Sequence, residues 1–283
     1  MGIVNNKYIL YKYSKSFFWA SNFLPKYKLR KVINIYSFCR IRDDIVDEGL
    51  ILENLKEYKN LLKIIKSYGI NKLLINQLID GIHSDVKFER YKSYHELIRY
   101  CYKVAGVVGL MMFHVLEIKN EKAKCFAIDL GIAMQLTNIA RDLMEDFKKN
   151  RIYIPIDTGI NEEILNNLNI DNKNKIIKII QDLILKANIY YKSSLNGIRY
   201  IPIKSRLSIL VALRLYQGIS NKINNTGFKF LTENIYLTKN EIILITIKTI
   251  IEFLFFFILP VHSKDHNNNL HKPLMELIDA HKH

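Results

Sequence analysis

Apolar residues recur along this chain at spacings of three and four rather than two, and the pattern resolves into five long segments: residues 28–48, 95–116, 123–149, 173–195 and 205–224. A period near 3.6 predicts a helix for each, amphipathic or buried all round. No run of alternating apolar and polar positions marks a strand, no internal repeat is visible, and no linker rich in Pro, Gly or Ser divides the chain. With 11 glycines and 5 prolines among 283 residues, little interrupts long helices. The expected architecture is therefore one all-α domain over residues 1–262 and a polar tail, 263–283, reading SKDHNNNLHKPLMELIDAHKH. Just before the tail, IILITIKTIIEFLFFFILPV (242–261) is long enough to raise a membrane span. Lys248 and Glu252 sit one turn apart in its middle, where hydrocarbon penalises charge, so a packed or membrane-skimming helix is expected instead.

Two of the helical segments carry acids where apolar residues would complete the pattern. In IYSFCRIRDDIVDE (35–48), at about 100° per residue, Tyr36, Arg40, Asp43 and Asp47 fall within a stripe of ~60°. In QLTNIARDLMEDFKKNRIYIP (135–155), Gln135, Asn138, Asp142 and Asp146 fall within about 80°, with Arg141 at the flank. One Asp-x-x-x-Asp pair is most often a solvated helix face. Two such pairs, each preceded by an arginine and embedded in apolar helix, point elsewhere. Buried carboxylates without counter-charge cost several kcal/mol each, so a neutralising partner is required. Oxygen ligands at this spacing suit a hard divalent cation, and Mg²⁺ typically bridges one or two carboxylates to phosphates. The adjacent arginines would clamp those phosphates. No Ser-His-Asp arrangement and no glycine-rich phosphate loop competes with this reading.

Composition adjusts the picture only slightly. The formal net charge of +15 suits nucleic acid, an anionic lipid surface or a polyanionic small substrate. The lysines are spread along the chain without a dense basic block, so a nucleic-acid partner is not expected. Cys39, Cys101 and Cys125 show no CxxC spacing and no nearby paired histidines, which predicts neither a zinc site nor a disulfide framework. The opening MGIVNNKYIL lacks the pattern of a signal peptide and the Ser/Thr of a myristoylation signal. A cytoplasmic protein is expected, peripheral at the inner face of a membrane.

These segments together resemble the squalene and phytoene synthase family, the head-to-head branch of the isoprenyl diphosphate synthases. Four blocks carry the resemblance in the family's order: SKSFFWASNFLP (14–25), YSFCRIRDDIVDE (36–48), YCYKVAGVVG (100–109) and QLTNIARDLMEDFKKNRIYIP (135–155). It implies an isoprenoid synthase helical bundle with a central cavity, with Asp43, Asp47, Asp142 and Asp146 as Mg²⁺ ligands (Mn²⁺ as the alternative). Arg40, Arg141, Ser16 and Phe17 would surround the diphosphate and the start of the prenyl chain, and Tyr36, Tyr100, Val104, Gln135, Asn138 and Tyr216 would line the cavity. The implied reaction joins two prenyl diphosphates through a cyclopropylcarbinyl diphosphate and releases diphosphate.

The wording of QLTNIARD is similar to phytoene synthases, implying two geranylgeranyl diphosphates and no redox cofactor. The alternative is condensation of two farnesyl diphosphates to dehydrosqualene or, with NADPH, squalene. A further alternative, a non-catalytic, membrane-associated assembly factor, predicts loss of metal aspartates, and all four are present. Two departures stand out: Met144 replaces a frequent Gly, and no arginine follows LRLYQGI, where Lys229 or Lys239 would have to supply the charge.

Overall fold

The computed structural model describes residues 2–48, 52–255, 262 and 264–279, with side chains described for 8–46, 55–255, 262 and 264–278. Among these residues every regular element is helical, as the apolar spacing predicts. The chain opens with α1 (Gly2–Tyr13) and α2 (Lys15–Ser21), separated by Ser14 in extended backbone, whose Oγ accepts from the Phe17 amide and caps α2. Then come α3 (Lys26–Glu48), α4 (Leu52–Ser67), α5 (Lys72–His83), α6 (Tyr94–Cys101) and α7 (Val107–Val115). The second half holds α8 (Ala123–Lys148), α9 (Glu162–Asn166), α10 (Ile170–Leu195), α11 (Ile203–Asn225), α12 (Lys239–Phe255) and α13 (Met275–Asp279).

The 26-residue α8 is the central post, packed along α10 and against α7 and α11. Its inner positions Ile132, Ala133, Leu136 and Ala140 are fully buried, which is why the sequence there reads as nearly apolar all round. The predicted helix over 95–116 is divided: residues Tyr102–Gly106 form a π turn between α6 and α7. There α7 and α8 approach unusually closely. A Cβ on Gly131 would stand 2.2 Å from the Ala105 carbonyl oxygen, and one on Gly109 would stand 2.1 Å from that of Ala127. Only glycine allows this crossing, and a π turn at such a place commonly marks a functional wall.

The run at 242–261 begins as α12, which lies on α11, and residues 256–261 are outside the described set. No helix among the described residues is long and apolar enough to cross a membrane. The side of α12 that packs inward mixes polar groups with Ile242, Ile245 and Phe253. Thr246 Oγ1 accepts from the Trp19 indole at 3.0 Å, Thr249 is buried, and Glu252 pairs with Arg214 of α11. Ile243, Leu244, Ile247, Ile251, Leu254 and Phe255 face outward.

Residues 264–279 lie along the body of the bundle. The Tyr190 hydroxyl donates to the Leu270 carbonyl (3.1 Å), Arg99 to that of Pro273 (3.2 Å) and the Gln77 amide to that of Leu277 (3.1 Å). His271 and Leu274 are buried beneath these contacts.

Candidate active site

The C-terminal halves of α3 and α8 face one another across a cavity of about 690 Å³. Its wall gathers Tyr36, Arg40 and Asp43 from α3 and Gln135, Asn138, Arg141, Asp142 and Asp146 from α8. Ser16, Phe17, Tyr100, Val104 and Tyr216 complete the wall. Every aspartate, arginine and cavity residue that the resemblance implies thus borders this space except Asp47, whose side chain lies outside the described residues.

The carboxylates are held in a setting that strains for positive charge. Arg141 grips its neighbour Asp142 with two hydrogen bonds, Nε to Oδ1 at 2.7 Å and the terminal nitrogen to Oδ2 at 2.6 Å. Burial opposes the guanidinium's charge, but the hydrogen bonds and charge of Asp142 outweigh it and hold Arg141 firmly protonated. One turn on, burial and then the charge of Asp142 push the Asp146 carboxyl up to about 8. On α3, Arg40 is paired with Asp44 at 2.8 Å through Nε and stacks over the Tyr13 ring at 4.4 Å.

Beyond the acids the walls become aromatic. Phe17 contacts Tyr216 (ring centroids 4.9 Å apart) and Tyr36 (6.0 Å), and burial raises the hydroxyl pKa of Tyr36, Tyr100 and Tyr216, so all three are neutral phenols at pH 7. The Asn138 amide donates to Gln135 Oε1 at 3.3 Å, while its buried Oδ1 has no hydrogen-bond partner among the described residues. Phe17, Tyr36, Val104, Gln135, Asn138 and Tyr216 also border a second chamber of about 280 Å³. That chamber runs inward between α7, α8 and α11 and is walled by residues such as Val108, Met112, Leu130, Met134 and Ile209. A polar, acidic mouth therefore opens into an apolar pocket.

Several residues at the mouth were not singled out from the sequence. Asp85, just past α5, accepts from the Tyr100 hydroxyl at 2.9 Å, and Tyr100 stacks on Tyr153 at 5.1 Å. Arg151 and Tyr153 reach the cavity because α8 stops at a left-handed Asn150 (φ 59°), and the Arg151 amide caps the Asp146 carbonyl at 2.9 Å. The Asn150 in KKNRIYIP was the legible signal for that stop. Lys229 and Lys239, the expected substitutes for the missing arginine, do not border the cavity. Lys12, Lys15, Lys149 and Arg151 supply cations there instead, and Tyr236 stands 5.9 Å from the Arg141 guanidinium. A departure in one segment is met by charge from others.

Residues 10–61 and 56–241 match the squalene/phytoene synthase family. The chain belongs to that family. It is accordingly a prenyltransferase, of a family that acts on prenyl diphosphates and generally uses a divalent metal. It is 31% identical over 248 residues to a phytoene synthase of Pseudescherichia vulneris, covering 76% of this chain and 80% of that one. It is 30% identical over 260 residues to a 4,4'-diapophytoene synthase of Staphylococcus haemolyticus, covering 82% and 90%. Among solved structures, a dehydrosqualene synthase in complex with ligand superposes with a TM-score of 0.76 at 23% identity over 89% of this chain and 96% of that one, which establishes the isoprenoid synthase fold.

Proposed function

We propose that this protein condenses two geranylgeranyl diphosphates head to head to phytoene, releasing diphosphate. What carries the reading is the junction of an acidic, arginine-flanked mouth with an apolar, aromatic chamber, in a chain whose curated relatives at 31% and 29% identity are phytoene synthases. Asp43, Asp142 and Asp146, with Asp47 one turn beyond Asp43, would hold the metal. The raised Asp146 carboxyl and the Asn138 Oδ1, without a partner among the described residues, fit that assignment, since both record unmet demand for positive charge or a donor. Magnesium, with manganese as the alternative, would supply charge neutralisation for the departing diphosphate. Arg40 and Arg141 bring fixed positive charge to the same oxygens. Phe17, Tyr36 and Tyr216 exclude water and turn ring faces toward the carbons where positive charge develops.

A second reading, two farnesyl diphosphates joined to dehydrosqualene, is favoured by the 30% identity to the diapophytoene synthase. Squalene would require NADPH as well. The test is incubation of purified protein and Mg²⁺ with each diphosphate, with and without NADPH, and identification of the hydrocarbon by mass spectrometry. Phytoene from the longer substrate is expected. A C30 product formed in preference would replace this reading with the second.

The protein is further proposed to work at the cytoplasmic face of a membrane, on anionic lipid. Six apolar side chains of α12 point outward, beyond the Ile242, Ile245 and Phe253 that it packs inward beside its threonines and paired Glu252, an exposed apolar stripe that suits a lipid surface. Leu237 and Ile242 border the cavity, so the start of α12 adjoins the mouth that lipid substrates must enter. The net charge of +15 complements anionic headgroups. Wild type is expected to sediment with anionic vesicles, and Ile247→Glu combined with Ile251→Glu to reduce the bound fraction about tenfold by removing apolar contact. An unchanged bound fraction would remove α12 as the docking surface.

A further inference from the structure

We propose that Cys125, His266 and His271, supported by Asp129, form a zinc site that fastens the C-terminal segment to the start of α8. The local spacing of the cysteines predicts no zinc site, because Cys125 has no histidine pair near it in sequence. The fold supplies one from 140 residues away: the tail crosses α8 and sets both imidazoles beside Cys125, with one ligand atom from each of the three residues within 4.8 Å of the others.

Three features separate this cluster from an ordinary surface grouping. Its donor set of thiolate and imidazoles is the one zinc prefers, and a tetrahedral ion at roughly 2.0–2.3 Å from each ligand needs donors about 3.3–3.7 Å apart, a modest contraction from the arrangement seen. Asp129, one turn along α8 from Cys125, is fully buried, and its two oxygens address the two rings: Oδ1 lies 2.8 Å from His271 Nε2 and Oδ2 lies 3.1 Å from His266 Nε2. A carboxylate orienting two imidazoles is the usual outer support of a zinc site, and solvent would take the fourth position beside Cys125, His266 and His271. The His266 contact is poorly directed, however, so Oδ2 and Nε2 are buried without a hydrogen bond among the described residues. A dication resolves the charge: Zn²⁺ with one thiolate, one carboxylate and two neutral imidazoles sums to zero. Binding displaces the thiol proton and any proton on the imidazoles to solvent.

The site is remote from the condensation chemistry in kind and place, since Gln135, Asn138, Asp142 and Asp146 occupy the later turns of α8. Its role is to anchor the helix that carries them. The test uses full-length protein without an affinity tag, purified from zinc-supplemented cells, with metal content read by elemental mass spectrometry. About one zinc per chain is expected, lost in Cys125→Ser and in His271→Ala and kept in Asp142→Asn. Cobalt added to the stripped protein should give a thiolate-to-cobalt charge-transfer band that Cys125→Ser abolishes. Cys125→Ser is nearly isosteric, so circular dichroism will confirm that it is folded when read. Wild type without zinc that also gives no cobalt band, or zinc retained in Cys125→Ser, overturns the proposal and leaves Asp129 with two histidines as an ion-pair clamp.

Discussion

Asp142→Asn is expected to lower kcat/KM for diphosphate condensation by about 10³-fold, the scale on which loss of a group that stabilises developing charge acts. The substitution keeps shape and removes one negative charge from the mouth. Two opposing electrostatic changes accompany it. Arg141 loses its bidentate partner, and Asp146 loses the neighbouring charge that, after burial, does most to push its carboxyl up. The first destabilises and the second relieves, so the melting temperature should move by only a few degrees, on the order of 1 kcal/mol. Activity and stability are thereby uncoupled. Product yield by mass spectrometry and melting by circular dichroism together check this. Near wild-type turnover would mean that Asp142 does not serve the metal.

Gly131→Ala is expected to act in the opposite way, through the fold. Its new methyl would meet the Ala105 carbonyl carbon at 2.5 Å and the Gly106 Cα at 2.8 Å, backbone atoms that no rotamer change can move aside. Helix α8 must then separate from the π turn. Overpacking of this kind costs about 3 kcal/mol, a fall in melting temperature of roughly 5–10 °C. Because the π turn carries Val104, which borders both chambers, the displacement should also reshape the apolar pocket. Thermal denaturation checks the first effect, and the hydrocarbon formed from each diphosphate checks the second. A melting curve unchanged from wild type would show that the crossing is softer than its geometry.

The sequence was informative wherever chemistry and helical period coincided. The stripes on 35–48 and 135–146 were legible because one face of an otherwise apolar helix carried acids, and α3 and α8 do turn those faces to one cavity. Periodicity could not reveal the π turn, since α7 (VVGLMMFHV) is apolar nearly all round and offers no phase against which one extra residue would register. Helices α4 and α5 were not singled out; each is short, and α4 is rich in lysine. Asp85, Arg151 and Tyr153 come from segments between helices, where no period marks a face. The orientation of α12 was hidden for another reason: hydropathy registers an apolar run, and only packing decides that Ile242, Thr246 and Thr249 go in and Ile243, Ile247 and Ile251 out.

The direction of α8 adds something that no side chain supplies. It finishes at Lys148, close to Asp142 and Asp146, and so presents its carbonyl end to the cavity. A helix end of that polarity carries roughly half an elementary negative charge, worth about 0.3–1 kcal/mol to a neighbouring ion. The carboxylates are therefore placed where the backbone dipole repels them, at some cost to the stability of the fold, and a cation placed there is attracted by peptide groups as well as by aspartates. That part of the potential belongs to the main chain and survives any substitution of Asp142 or Asp146.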